Sequence, residues 1–97
     1  MNLGTIEKQP REKQNYFIRY KDYLQTGETV SVVTYFLSGD DDALVIQGPT
    51  IRTDNESLEF WVAEGTDYAR YLLEVKITTS LGNEKEDEIT IKVKEIN

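Results

Sequence analysis

The residues of this sequence that could do chemistry are mostly carboxylates. The sharpest group is Asp40, Asp41 and Asp42, three consecutive acids of the type that supplies hard oxygen ligands to calcium. The spacing around them lacks the glycine and the distant glutamate that a helix–loop–helix calcium site requires. Because aspartate is also favoured in turns, where its side chain bonds to nearby backbone, we interpret this group as a solvated turn and expect no metal site.

The side chains that common catalytic sites require are missing from this sequence. The chain has no histidine and no cysteine, which excludes a serine–histidine–aspartate arrangement and a zinc–sulfur site. No pattern places two carboxylates in an apolar pocket, as an acid catalyst with a raised pKa would need. The six glycines stand singly rather than in a phosphate-binding loop. The sequence therefore predicts a protein that is not an enzyme and holds no cofactor.

The aromatic residues offer binding chemistry instead. Exposed aromatic side chains bind sugars and anchor protein interfaces, whereas buried ones fill a core. Whether Trp61 is buried or exposed is ambiguous, because strict alternation along its strand places it on the other face from Phe60. Tyr68 and Tyr71 stand at the start of a late strand, where sandwiches often carry a tyrosine whose hydroxyl bonds to a nearby loop. We expect one of these two tyrosines to be structural.

Length and charge limit the partners. The 97 residues form one domain with a formal charge of −7, of which the first fourteen residues contribute +1 and the remainder −8. An acidic body repels phosphate, which argues against nucleic acid and anionic membranes. No apolar run reaches the length of a membrane span or of a signal segment. We therefore expect synthesis in the cytoplasm.

A β-hairpin near the end of the chain organises the predicted fold. Residues 69–79 and 88–94 alternate between apolar and polar side chains and flank a turn at residues 81–83, which is typical of two strands with one buried face. We interpret the acidic residues 84–88 as a run just before an edge strand that blunts edge-to-edge pairing. The inward positions are Tyr71, Leu73, Val75, Ile77, Ile89, Ile91 and Val93.

Further strands are predicted at residues 15–20, 30–37, 44–46, 50–53 and 57–63. The strand at 30–37 is apolar on both faces, so it is either central or has one face in an intermolecular contact. About seven short strands with regular turn signals indicate an all-β antiparallel sandwich. The predicted core consists of Val32, Phe36, Leu58, Phe60, Leu73, Val75, Ile77, Ile89 and Ile91.

The first fourteen residues show no periodicity and contain few apolar side chains. We expect residues 1–14 to be a flexible N-terminal arm and residues 15–97 to be the sandwich. The alternative is an arm that becomes ordered against a neighbouring subunit.

Two segments carry a resemblance to known proteins. The Gly65-Thr66 start, Tyr71 and the following hairpin are similar to the last two strands of immunoglobulin-like modules. Residues 61–66 (WVAEGT) and 23–30 (YLQTGETV) resemble short proteins encoded in the structural gene clusters of tailed phages and prophages. In that group Glu64 would be a glycine and Glu28 an aspartate. The resemblance spans residues 15–93 and implies an immunoglobulin-like sandwich with a virion-associated role and no catalytic residues.

Two functions of different class follow from these observations. The first is a phage structural or accessory protein that binds further copies of itself or other phage structural proteins, through a surface that includes Val33, Tyr35, Leu37 and Trp61. The second is a carbohydrate- or surface-binding module that uses Trp61. Neighbouring genes for head and tail components would favour the first.

Overall fold

A computed structural model describes residues 1–95 and places seven strands in two sheets, with no helix in that range. The described residues thus include no helix that could cross a membrane. The strands are β1 (Asn2–Lys8), β2 (Gln14–Arg19), β3 (Val30–Gly39), β4 (Leu44–Ile51), β5 (Ser57–Glu64), β6 (Arg70–Thr79) and β7 (Glu84–Val93).

The two sheets contain four and three strands. The four-stranded sheet has the order β1-β7-β6-β3, and the three-stranded sheet has the order β2-β5-β4. Every pair is antiparallel except β1 and β7, which are parallel. The prediction of an all-β sandwich of about seven strands is confirmed, whereas the expectation that all strands are antiparallel is wrong for β1.

The core lies between the sheets and follows the predicted alternation on most strands. Side chains at every second position of β5, β6 and β7 face inward and exclude water, which is the main source of stability for such a fold. Of the predicted core residues, seven are buried: Leu58, Phe60, Leu73, Val75, Ile77, Ile89 and Ile91.

The other two predicted core residues, Val32 and Phe36, are 51% and 64% exposed. The cause is an irregularity near the start of β3, where the register passes from Val30 opposite Thr79 to Val32 opposite Thr78. Ser31 is the extra residue of this bulge, and an extra residue reverses which side chains face inward. Val30, before the bulge, is buried, whereas Val32 and Phe36, after it, point outward.

The N-terminal segment differs from the expected arm without regular structure. Residues 2–8 pair with β7 as β1, and Ile6 packs against the core. Lys8 is only 2% exposed; its Nζ donates hydrogen bonds to the carbonyl oxygens of Gln9, at 2.7 Å, and of Glu64. Burial lowers the pKa of this amine. The aliphatic part of the Lys8 side chain takes the place of an apolar residue at this buried position of β1. The sequence therefore shows no alternation of apolar and polar residues that would have predicted the strand.

The acidic segment 84–88 also differs from its interpretation as a run that precedes an edge strand. It forms the first half of β7, which lies inside its sheet between β6 and β1. Asp87 faces inward, is buried, and its carboxylate lies 3.2 Å from the Lys85 ammonium group. The strand starts early because the turn is tight: the Thr79 amide donates to the Asn83 carbonyl oxygen at 2.8 Å.

One tyrosine has the predicted structural role. The buried Tyr71 hydroxyl donates to Asp41 at 2.5 Å and accepts a hydrogen bond from the Thr66 amide at 3.0 Å. Burial is the main cause of the raised pKa of Tyr71, and the Asp41 carboxylate adds to it. Tyr68 is exposed. Asp40 also accepts a hydrogen bond from the Arg70 amide, at 2.9 Å, so two acids of the aspartate turn attach it to β6.

Candidate interaction surfaces

Strand β3 forms an open edge of the four-stranded sheet. We define the β3 edge surface as Val32, Val33, Tyr35, Phe36 and Leu37. Val32 and Phe36 point outward, and Tyr35 is 50% exposed although it lies opposite the buried Val75. An edge strand also presents backbone amides and carbonyl oxygens that a further strand can pair with. This combination of apolar side chains and an open edge is typical of a protein-binding site.

The structure places three of the predicted site residues together on β3. Val33, Tyr35 and Leu37 lie on the same side of the strand, opposite Ile77, Val75 and Leu73 respectively. Val33 and Leu37 are half-buried and pack against the core, so they support the edge rather than project from it. The side chains that project are Val32 and Phe36, which the predicted register had placed inside.

Trp61 lies on the other sheet. It points outward from β5, the central strand, and is 39% exposed. The Lys13 ammonium lies 5.2 Å from the centre of the Trp61 ring, and the Arg52 guanidinium lies 4.4 Å from the centre of the Phe17 ring. Cations over aromatic rings are attracted by the negative face of the ring. We define the aromatic face as Lys13, Phe17, Val45, Arg52 and Trp61, of which Phe17 and Val45 are also exposed apolar residues.

Cations and carboxylates lie together on and around the aromatic face. Arg19 lies on the same side of β2 as Phe17, and Glu59, a carboxylate, lies beside Phe17 in the sheet. Asn15 donates a hydrogen bond to Glu59 at 3.1 Å. Asp54 and Glu56 line the same concave region as Arg19 and Arg52. The cations of this face therefore have carboxylates close by.

The opposite side carries a group of carboxylates that we call the acidic stripe: Glu74, Glu84, Glu86 and Glu88. Glu74 of β6 pairs directly with Glu88 of β7, and Lys76 pairs with Glu86 in the same register. The Lys76 ammonium lies 3.3 Å from Glu84. Like charges placed opposite each other on neighbouring strands destabilise a sheet. Phe36 of β3 lies next to Glu74, so the stripe borders the β3 edge surface.

The surface of the sandwich also carries concave regions. A shallow depression of about 170 Å³ lies beside Trp61 and is lined by Gln47, Gly48, Thr50 and Glu59. A groove of about 300 Å³ lies between β1 and β2 and is lined in part by Ile6, Ile18, Phe60 and Ile89. Within residues 1–95 no cluster of three or more acids or other ligating side chains is arranged to hold a metal ion.

Sequence reasoning found Trp61 but missed the residues around it. Phe17, Lys13 and Arg52 come from β2, from the residue before it and from the residue after β4. They meet Trp61 only because the sheet order brings β2 and β4 to either side of β5. The alternation along β2 places Phe17 on the other face of the strand from Ile18. This is the one signal in the sequence that could have identified Phe17 as an outward residue.

Comparisons with known proteins identify relatives of this chain. Residues 8–92 match the model of a family described as podophage GP4 fiber-tail adaptor protein gp77. No curated protein sequence matches the chain. Among solved structures, the 2,6-sialyltransferase of Vibrionaceae Photobacterium sp. JT-ISH-224, crystallised with CMP and lactose, is similar with a TM-score of 0.59 and 12% identity. That match covers 97% of this chain but 17% of the transferase, so the likeness concerns the fold alone.

Proposed function

Because the chain belongs to the podophage GP4 fiber-tail adaptor family, we propose that it joins a tail protein to a fibre protein in a phage or prophage particle. It does so as a non-enzymatic immunoglobulin-like module that acts by protein–protein contact. The observation that carries the proposal is the β3 edge surface, where Phe36, Val32 and Tyr35 are each at least half-exposed on an open strand edge.

The β3 edge surface suits the capture of a partner strand. The backbone of an edge strand gives affinity through ladder hydrogen bonds, and side chains at alternate positions give specificity. Covering Phe36 and Val32 would add the free energy of apolar burial. Because β3 is already held in register by β6, little conformational entropy is lost on binding.

An adaptor needs two contacts, and the aromatic face supplies a second one on the other sheet. Tryptophan and arginine are the residues that most often dominate binding energy at interfaces. Trp61 and Arg52 both lie on this face, away from β3. The partners in this proposal are proteins, and no nucleic acid, membrane or cofactor takes part. The protein would be made in the cytoplasm and then become part of the virion.

Co-expression with the tail and fibre proteins of the same phage tests the proposal. Phe36→Ser and Tyr35→Asp should reduce the amount of purified partner that remains bound, while the thermal unfolding transition stays cooperative. Leu81→Ser is the matched control, because Leu81 is 62% exposed but lies in the β6–β7 turn, outside both defined surfaces. The proposal is wrong if neither partner binds the unmodified chain, or if the control reduces binding as much as the β3 variants.

A carbohydrate-binding module is the second candidate, and the depression beside Trp61 favours it. Its lining combines an aromatic ring with amide, hydroxyl and carboxylate groups, which are the groups that bind sugars. Glycan-array binding that is lost in Trp61→Ala, together with no binding to tail or fibre proteins, would replace the adaptor proposal with this one.

A further inference from the structure

We infer that β3 pairs with the β3 strand of a second copy of this chain, so that the two four-stranded sheets join around a two-fold axis into one sheet of eight strands, four from each copy. The inference rests on the proposed use of β3 as an edge that accepts a strand, and it names one such strand. Three features of β3 support it: an edge without the usual protection, a strand without charge, and apolar side chains that match under two-fold symmetry.

β3 is the edge strand that lacks the usual protection against pairing with another chain. Proteins block their edge strands with charged side chains, prolines or bulges. Among the seven described strands the other edges follow this rule, since β1 carries Glu7, β2 ends at Arg19 and β4 contains Pro49. The bulge of β3 lies at its start, and residues 32–39 keep an unbroken register with β6. This regular part of β3 can therefore pair with a further strand.

No residue of β3 is charged, although 30% of the whole chain is Asp, Glu, Lys or Arg. This matters because two identical strands bring like charges together, and directly opposed like charges destabilise a sheet. On the neighbouring strand β6, the outward charges beside β3 are Glu74 and Lys76, one of each sign. Two copies of this acidic chain, each with a formal charge of −7, can thus approach along β3 without a ladder of like charges.

The apolar side chains of β3 match when Tyr35 lies on the two-fold axis. In that register residues 32–38 of the two copies pair, which keeps the pairing within the regular part of β3 and ends it before the aspartate turn. On the side that faces the core, Tyr35 lies opposite Tyr35, and Val33 lies opposite Leu37 of the second copy. Aromatic and apolar cross-strand pairs of this kind stabilise a sheet.

These pairs complete the burial that the isolated chain leaves unfinished. Val33 and Leu37 are half-buried, and Tyr35 is 50% exposed although it lies on the core side of the strand. On the outer side Phe36, which is 64% exposed, would lie diagonally across the axis from Phe36 of the second copy, a distance that aromatic side chains span. Removal of this apolar surface from water is the driving force of the contact.

Sedimentation velocity on the purified chain tests the inference. One strand and its side chains form a contact smaller than the roughly 800 Å² per partner of a standard interface, so we expect a dimer that forms as the concentration rises to about 1 mM and separates on dilution. Because β3 carries no charge, high salt should not weaken the dimer. Thr34→Lys places a charge at an exposed position of this edge and should raise the dissociation constant about tenfold or more. Thr5→Lys, the same change on β1 at the opposite edge of the sheet, should leave it unchanged.

Single introduced cysteines test the register, since the chain has no cysteine of its own. Directly opposed residues of antiparallel strands have Cα atoms about 4.5–5.5 Å apart, a distance that a disulfide spans. Tyr35→Cys, on the axis, should therefore form a disulfide-linked dimer under mild oxidation. Ser38→Cys is the matched control on the same strand, because its two copies would lie about 20 Å apart.

The inference is wrong if the unmodified chain stays monomeric at the highest concentration, if Thr34→Lys does not weaken association, or if Tyr35→Cys is cross-linked no faster than Ser38→Cys. Such a result, combined with normal capture of the tail and fibre proteins, would leave the adaptor function standing. A dimer with the expected properties that captures neither protein would remove the adaptor function only.

Discussion

Strands β6 and β3 are neighbours in one register, yet they bury their side chains to very different degrees. Leu73, Val75 and Ile77 of β6 are almost completely buried. The residues opposite them on β3 are half-buried or, at Tyr35, half-exposed. Both strands are rich in apolar residues, so residue type does not explain the difference. Position does, because β6 is central and β3 is an edge.

This difference shows how one kind of residue can serve stability in one strand and binding in the next. The hydrophobic effect rewards any apolar area removed from water. In β6 the fold itself removes that area. In β3 the area at Val32 and Phe36 remains exposed, so the gain is available to a partner. Four measurements test this division.

The largest effect is expected from a matched pair of leucines that face each other in the β3–β6 ladder. Leu73→Ala should lower the free energy of unfolding by about 2–5 kcal/mol, because it leaves a cavity in a site that is closed on every side. Leu37→Ala should cost less than half as much, since its surroundings are already partly solvent. Urea unfolding of both variants measures this. Equal costs would mean that β3 is as buried as β6.

The next effect concerns the hydroxyl that attaches the aspartate turn to the start of β6. Tyr71→Phe removes the donor to Asp41 and the acceptor of the Thr66 amide, which should cost about 1–3 kcal/mol. Tyr68→Phe is the control, because Tyr68 is 77% exposed and should be neutral. Thermal unfolding compares the two, and a neutral Tyr71→Phe would show that the hydroxyl contacts are not part of the stability of β6.

A third effect depends on pH and on the loop that leads into β3. Hydrogen bonds from the Gln25 amide, the Thr79 hydroxyl and the Asn83 amide hold the pKa of Glu28 below its usual value of 4.5. The unfolded state therefore binds a proton more readily, so stability should be complete above about pH 5 and should fall as the pH drops through the lowered pKa.

Glu28→Gln keeps the side-chain size but removes the titrating group. The slope of stability against pH between 5 and 3 should be shallower in this variant than in the unmodified chain. Identical slopes would show that other carboxylates, such as Asp41 and Asp54, whose pKa values are also lowered, account for the acid sensitivity.

The smallest perturbation is amide exchange, which requires no substitution. We expect the ladder amides of β1 to exchange at least an order of magnitude faster than those of β6, because β1 is an edge strand that contributes little beyond Ile6 to the core. The expected mobility of residues 1–14 is tested by the same data. Equal protection of β1 and β6 in a dilute monomer would mean that the N-terminal segment is as stable as the core.

The parts of the fold that could be predicted are the strands in which alternate residues are apolar and fully buried. On β5, β6 and β7, apolar residues at every second position named the core correctly. On β3 the same reasoning failed, because the bulge at Ser31 has no marker such as glycine or proline in the sequence. β1 was missed because a charged residue, Lys8, occupies one of its buried positions.

The candidate surfaces were harder to predict than the fold. The apolar pattern at 30–37 identified the correct strand. The prediction of which of its two faces points inward was wrong, so Val32 and Phe36 were placed in the core although they project outward. Trp61 could be identified as ambiguous, whereas its environment depends on which strands lie beside β5. Pairing between distant segments is a property of the whole chain, so no local pattern contained that information.

The parallel pairing of β1 with β7 has a mechanical consequence. Asn2 lies beside Glu88, and Lys8 lies beside Val93, so the beginning of β1 and the end of β7 are at opposite ends of one ladder. A force that pulls residue 2 away from residue 93 acts along the strands and loads the hydrogen bonds of that ladder together, in shear. Pulling across the strands would instead break them one after another. The same weakly anchored edge strand that should open readily in thermal fluctuations would thus resist tension along the axis of the sandwich.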